Sequence, residues 1–228
     1  AAVAAYGLPV TRVAADAIKG QREGVRFPLP SGQHMLLYFH ADKIGYATGM
    51  ENPSPVPPHG TPGGRVTHLD HTLLSAQNPQ DDVNFLMQVL DFSLTEKVVD
   101  PAGNTLAAFL TCSHTMHDLA IGPGPDGHFH HMAFGMDSRT EVIHGVDLLK
   151  ENAVPSLEFG ITRHGISGVT TIYFHDPSGN RNEFYNGAYL APGAPGWVPP
   201  IVWQAEHFPR GAFYYENAVP EAFFAEVT

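Results

Sequence analysis

Apolar and polar positions switch period several times along the chain, and each switch predicts an element. Val25–Pro28 and Met35–Phe39 read as short strands on either side of the turn Pro30-Ser31-Gly32. Val66–Leu74 alternates at period two and predicts a strand. Val83, Leu86, Met87 and Leu90 then recur at helical spacing, which predicts a helix over Pro79–Leu90. Ser93–Val99, Leu106–Cys112 and Asp118–Gly122 read as strands, with a Gly/Pro-rich turn over Gly122–Gly127. Phe129–Met136 is another strand. Ser138–Ala153 is a helix with Val142, Val146 and Leu149 on one face, and strands follow between Val169 and Tyr185. From residue 66 the order is therefore two copies of a βαβββ unit, an α+β fold of tandem modules.

A longer echo lies outside these two copies. Arg26-Phe27-Pro28-Leu29-Pro30-Ser31-Gly32 and the residues through Tyr38 resemble Tyr173-Phe174-His175-Asp176-Pro177-Ser178-Gly179 and the residues through Tyr185. Both are strand, Pro-Ser-Gly turn, strand. Aligning Pro30 with Pro177 sets Ala1 on Leu148, inside the predicted helix, so the first copy begins part-way through. Extending the repeat implies that roughly 75–80 residues of that copy precede Ala1. Residues 1–50 are accordingly expected to be the second half of an N-terminal domain. Residues 51–65 are expected to be a linker, because Glu51–Gly64 holds five prolines, three glycines and no apolar period. Residues 66–228 are expected to form the C-terminal domain and its tail. The same alignment sets Glu183 on Leu36. A carboxylate between strand aromatics is costly unless paired or metal-bound, so the copy with glutamate has something to coordinate.

Composition narrows the function. The 228 residues carry a formal charge of −11 with only 15% charged residues, which disfavours nucleic acid as a partner. The lone Cys112 excludes an internal disulfide framework. No apolar run is long enough for a membrane span and Ala1–Val10 lacks a basic leader, so a cytoplasmic setting is expected. The 14 histidines outnumber the 12 lysines and arginines, which is unusual.

Strand alternation sets Thr67, Leu69, His71 and Leu73 on one face of their strand and His68, Asp70 and Thr72 on the other. His71 is thus the better buried ligand candidate, although a lone core histidine more often has a structural role. His130 and His131 are adjacent and expected on opposite faces, so one of them faces a given metal; the pattern does not choose. Two histidines and Glu183, each on a different strand, match the facial triad that leaves three positions open on non-haem Fe(II). His117 follows Cys112-Ser113-His114-Thr115-Met116. His164 lies in Thr162-Arg163-His164-Gly165, where a surface-loop role is the simpler reading. Tyr173 and Glu183 flank the Pro-Ser-Gly turn and meet if it closes a hairpin.

The run Thr171-Ile172-Tyr173-Phe174-His175-Asp176-Pro177-Ser178-Gly179-Asn180-Arg181-Asn182-Glu183 strongly resembles the signature of extradiol ring-cleaving dioxygenases of the vicinal oxygen chelate superfamily, closest to catechol 2,3-dioxygenases. The resemblance extends to Cys112-Ser113, His117-Asp118, His130-His131 and the tail near Phe223. It implies Fe(II) held by His71, His131 and Glu183, with His117 as the acid–base residue. It implies that His164 and Tyr173 hydrogen-bond the substrate or oxygen species and that Phe223 lines the ring pocket. Catechol or a substituted catechol and O2 would be the substrates, a 2-hydroxymuconic semialdehyde the product, and a homotetramer the assembly. Two other readings keep the fold: a metal-dependent isomerase or transferase of the same superfamily, or an inactive metal- or aromatic-binding relative.

Overall fold

The computed structural model describes residues 1–42, 63–154, 160–191, 200–225 and 227–228. The expected linker lies mostly outside these residues, as does most of the Pro/Gly-rich segment Ala191–Pro200. The chain divides into two compact units, Ala1–Pro62 and Gly63–Thr228.

In the first unit a short helix α1 (Ala2–Ala5) precedes the antiparallel sheet β1 (Thr11–Val13), β2 (Gly24–Pro28) and β3 (His34–Tyr38). The β2–β3 turn is closed by Leu29 N–H to Gln33 O and Gly32 N–H to Leu29 O, and Gly32 takes φ 98°. Only glycine adopts that φ without strain.

In the second unit β4 (Val66–Ala76), α2 (Pro79–Leu90), β5 (Ser93–Val99), β6 (Thr105–Thr111) and β7 (Leu119–Pro123) make one βαβββ module. The second module is β8 (Phe129–Met136), α3 (Arg139–Glu151), β9 (Thr162–Arg163), β10 (Thr170–His175) and β11 (Arg181–Asn186). A short strand β12 (Ile201–Gln204) follows, then a 3-10 turn (Ala205–His207) and two short helices, α4 (Phe208–Ala212) and α5 (Ala222–Ala225). Nine strands form one sheet in the order β12-β5-β6-β7-β4-β8-β11-β10-β9. The modules meet where β4 pairs antiparallel with β8, and each closes on itself through a parallel pair, β4 with β7 and β8 with β11.

Local sequence accounts for the helix ends. Pro79 opens α2 with a preset φ, and Asp91 stops it in the left-handed region. Ser138 caps α3 by accepting from Glu141 N–H. Val142 and Leu149 of α3 pack on Met136, Ile172 and Phe184 of the sheet. Along β10 and β11 the intervening residues Tyr173, Glu183 and Tyr185 line a cavity instead, so strict period-two alternation separates core from site. The β10–β11 turn repeats the β2–β3 turn bond for bond: Asp176 N–H to Asn180 O and Gly179 N–H to Asp176 O, with Gly179 at φ 89°. Arg26 pairs with Leu36 as Tyr173 pairs with Glu183.

Strict alternation fails in two places, with one cause. Leu69 is 59% exposed rather than sharing the buried face of His71, because the β4–β8 register shifts between Leu69 and His71. A second shift sets His131 opposite Leu73 and Phe129 opposite Leu74, leaving His130 as an extra residue in β8. Such a bulge rotates the strand locally. The two histidine rings consequently touch, 4.9 Å apart between centroids, instead of facing opposite ways.

Candidate metal centre and substrate pocket

The residues expected at the site converge on one cavity in the second unit, of about 560 Å³ counting its open mouth. His71 comes from β4, His131 from β8 and Glu183 from β11, three adjacent central strands. Their donor atoms lie within 4.8 Å of one another, and all three residues are buried. Glu183 Oε2 stands 3.3 Å from His71 Nε2 and 3.1 Å from His131 Nε2.

Each of these side chains is held from behind. His71 Nδ1–H donates to Asp70 Oδ2 at 2.8 Å, leaving Nε2 to face the cluster. His131 Nδ1 lies 2.7 Å from His130 Nδ1. The Thr171 hydroxyl donates to Glu183 Oε1. Outer partners of this kind fix the tautomer and aim of metal-binding side chains. Two imidazoles and one carboxylate, converging and buried, fit a divalent first-row ion with open positions.

Charge in the cluster follows from burial and these contacts. Burial works against ionising Glu183, yet the His131 and His71 hydrogen bonds hold its carboxyl well below the usual range. Burial alone would lower His71, but the Asp70 and Glu183 hydrogen bonds outweigh it and push its pKa up to about 9. His131 has the same carboxylate but no Asp70 of its own. Burial, together with the repulsion of His71 and Arg181, brings it down to about 4 despite the opposing pull of Glu183. Without an ion, one proton therefore resides on His71 and His131 is neutral.

His117 precedes β7, and its ring centroid is 3.9 Å from that of His71. Its Nδ1 lies 2.7 Å from Met116 Sδ. A thioether only accepts, so Nδ1 carries the proton and Nε2 keeps its lone pair. Burial, and next the His71 charge, hold the His117 pKa well below its ordinary value. The loop carrying it is knotted around Asp118, whose carboxylate accepts from Cys112 N–H at 2.7 Å, Ser113 N–H at 3.0 Å and the hydroxyls of Thr111 and Ser113 at 2.8 Å.

His164 is not a surface residue: its side chain is 15% exposed and lines the cavity. Its Nδ1–H donates to the Ala212 carbonyl, so its Nε2 accepts from the Tyr173 hydroxyl at 2.8 Å. Phe223 is buried, packs edge-on against Tyr173 and Phe213, and walls the cavity with Phe208 and Phe224. Of the aromatic tail, Phe213 and Phe223 are thus interior, while Tyr214 and Tyr215 remain exposed.

The comparisons with known proteins agree with this geometry. The sequence profile of the Glyoxalase/Bleomycin resistance protein/Dioxygenase superfamily matches residues 68–184, and that of the catechol 2,3-dioxygenase-like N-terminal domain matches residues 1–43. Metapyrocatechase from Pseudomonas sp. (strain CF600) is 34% identical over 226 residues, covering 98% of this chain and 72% of that protein. This chain belongs to the extradiol dioxygenases. The crystal structure of the 2,3-dioxygenase LapB from Pseudomonas sp. KL28 shares the fold with a TM-score of 0.79 and 35% identity, over 89% of this chain and 69% of that one. A manganese-dependent 2,3-dihydroxybiphenyl 1,2-dioxygenase from Geobacillus genomosp. 3 is 29% identical over 205 residues; the match covers 86% of this chain and 64% of that protein. As an extradiol dioxygenase the chain is a metal-dependent enzyme.

Several supporting residues escaped the sequence reading. Asp70 directly precedes His71, and adjacency was its only signal. Arg181 stands two residues before Glu183 on the same strand, so period two should have set both on the cavity side. Glu96 of β5 is 1% exposed and accepts from Ser167 N–H at 3.0 Å, Tyr189 OH at 3.1 Å and Trp203 Nε1–H at 2.6 Å. It thereby fastens the loop that follows His164. A buried acid with three donors from distant segments leaves no local trace in sequence.

Proposed function

We propose that this extradiol dioxygenase opens the ring of catechol or a substituted catechol beside its hydroxyl pair, with Fe(II) held by His71, His131 and Glu183, giving a 2-hydroxymuconic semialdehyde-type product. The observation that carries this reading is the cavity that gathers this donor triad with His117, His164 and Tyr173. Bound iron would supply a template for two vicinal oxygens and O2, together with acidification of a bound hydroxyl.

The surrounding residues do the rest. Phe223, Phe208 and Phe224 cover the apolar side of the ring and exclude water. His117 Nε2, with its lone pair free and its Nδ1 proton held by Met116, accepts a substrate hydroxyl proton and returns it later in the cycle. His164 Nε2 holds the Tyr173 hydroxyl in place, which fixes a polar pair at the rim of the triad.

Manganese is the second reading for the ion, favoured by the manganese-dependent relative and by a donor set that accepts either metal. In the same proposal, residues 1–50 are the second half of an N-terminal module whose Leu36 replaces the ligand glutamate, 51–65 the linker and 66–228 the catalytic domain. The homotetramer is tested by sedimentation velocity.

The deciding experiment loads separate anaerobic samples with Fe(II) or Mn(II), mixes each with catechol in air, and follows visible absorbance and oxygen uptake. Yellow product with one O2 consumed per catechol in the Fe(II) sample is expected. Turnover with Mn(II) only reassigns the ion. Bound metal without oxygen uptake overturns the catechol reading.

A further inference from the structure

The proposed chemistry makes no use of Glu96, a buried carboxylate that stands behind the cavity wall rather than in it. The β5–β6 register shifts between Leu94 and Glu96, and this bulge turns Thr95 and Glu96 inward in succession. Burial strips the carboxylate of water and pushes its pKa up. Three donors oppose that loss. Oε1 accepts from Ser167 N–H at 3.0 Å and the Tyr189 hydroxyl at 3.1 Å, and Oε2 accepts from Trp203 Nε1–H at 2.6 Å. These donors come from the β9–β10 loop, the stretch after β11, and β12, so one side chain ties three distant segments to β5.

Those segments make one side of the cavity. His164, Ile166 and Ser167 of the loop line it, as do Gly211 and Ala212 of α4. Loop and α4 are joined by Ile166 N–H to Gly211 O at 3.0 Å, Tyr214 N–H to Arg163 O at 2.7 Å, and His164 Nδ1–H to the Ala212 carbonyl. The Trp203 indole lies against both: a Cβ added at Gly165 would stand 3.2 Å from Trp203 Cη2, and one at Gly211 3.4 Å from Trp203 Cε3. Ser167 takes φ 59°, a left-handed conformation that strains a residue other than glycine. Its N–H is the one that Glu96 receives, so a charge-assisted bond offsets the strain where the loop turns back. Weakening the acceptor lets the loop relax, and Ile166 and His164 move with it.

We propose that Glu96 is a positioning residue for ring cleavage: it sets the wall formed by Ile166, Ser167, Gly211 and Ala212, and the place of His164, without touching substrate or ion. The inference rests on the reading of the cavity as a catechol site. A wall acts on bound substrate and transition state alike, so its displacement shows in KM more than in kcat.

The test compares Glu96→Gln and Trp203→Phe, singly and together, in the whole protein. Glutamine keeps the size of Glu96 and an oxygen for Ser167 and Tyr189, but its amide nitrogen faces the Trp203 N–H, donor against donor. Phenylalanine at position 203 removes that N–H. In iron-loaded samples with equal bound metal, Glu96→Gln is expected to raise the KM for catechol about 10-fold and to change kcat by less than about 3-fold. In the metal-free proteins it is expected to speed hydrogen exchange over residues 163–168 relative to β4 and β8. Both effects are expected to shrink when Trp203→Phe is present in the same chain. Should Glu96→Gln not fold, Tyr189→Phe removes one donor and is expected to move KM and exchange in the same direction by less. The proposal is overturned if the unfolding temperature falls while KM stays that of the unaltered protein, as a role in stability alone would have it. It is overturned if exchange over 163–168 keeps its ratio to β4 and β8, or if the effect of Glu96→Gln is undiminished beside Trp203→Phe. If the unaltered protein leaves catechol intact, the catechol reading falls; the exchange comparison needs neither metal nor substrate and then decides the role of Glu96 in the wall by itself.

Discussion

The two halves of the large sheet share one βαβββ plan, and at the centre of the cavity one position sets them apart. His71 pairs with Ala133 and His131 pairs with Leu73, so the two proposed ligand histidines are related by the pseudo-two-fold between β4 and β8. Glu183 pairs with Ala133 across β8–β11. Its counterpart across β4–β7 is the partner of Leu73, and that residue is Ala120, which lines the cavity. Four symmetric positions thus carry two histidines, a glutamate and an alanine. The β8–β11 half completes the proposed triad, while the β4–β7 half has Ala120 at that corner and adds His117. In the proposed reading, symmetry broken at one side chain leaves an ion site open for substrate.

The largest effects should come from the odd pair. Glu183→Ala is expected to lose stoichiometric metal and all turnover. Ala120→Glu is expected to keep metal against a chelator at least as well as the unaltered protein while turnover disappears. Metal analysis after dialysis, alongside oxygen uptake, separates the two. If Ala120→Glu stays active, the open corner lies elsewhere.

Next comes His117, the proposed acid–base residue, which the first half alone supplies. His117→Phe is expected to slow turnover about 10²–10⁴-fold with metal still bound. Steady-state rates on metal-replete samples check this, and an unchanged rate would remove His117 from the chemistry.

A smaller effect distinguishes the two proposed ligand histidines by pH in the metal-free protein. His71, raised from 6.5 to about 9, adds stability that is complete below its ordinary value and is lost as pH rises through about 9. His131, lowered from 6.5 to about 4, adds stability that is present above its ordinary value and is lost as pH falls toward about 4. Thermal unfolding in chelator should peak between these limbs. Asp70→Asn should weaken the alkaline limb, because Glu183 still raises His71, and leave the acid one.

The smallest contrast is at the helix caps. Ser138→Ala should cost about 1 kcal/mol, because the side chain caps α3. Asn78→Ala should cost less than about 0.5 kcal/mol, because that side chain makes no cap bond and Pro79 already sets the turn. Urea unfolding of both variants measures the difference.

What the sequence discloses follows from how local each cause is. The helix Pro79–Leu90 was readable to both ends because its start and stop are single residues, Pro79 and Asp91. The pairing of Tyr173 with Glu183 was readable because the Asp176–Asn180 turn fixes the register. Ile201–Gln204 was not, since four residues between Pro/Gly-rich stretches become a strand only by pairing with β5. The choice between His130 and His131 came from family likeness rather than pattern. A bulge is a mismatch between two strands, and no single strand encodes it. Phe223 belongs to the wall through a contact with Tyr173, fifty residues earlier in the chain, which no periodicity shows.

The triad's place in the middle of the sheet also bears on how metal enters and leaves. β4, β8 and β11 are flanked on both sides by paired strands, and such strands open only when the whole domain does. An ion held by this triad would exchange through the cavity whose wall includes Phe208, Phe223 and Phe224, so changes in α4 and α5 are expected to alter how fast a chelator removes it.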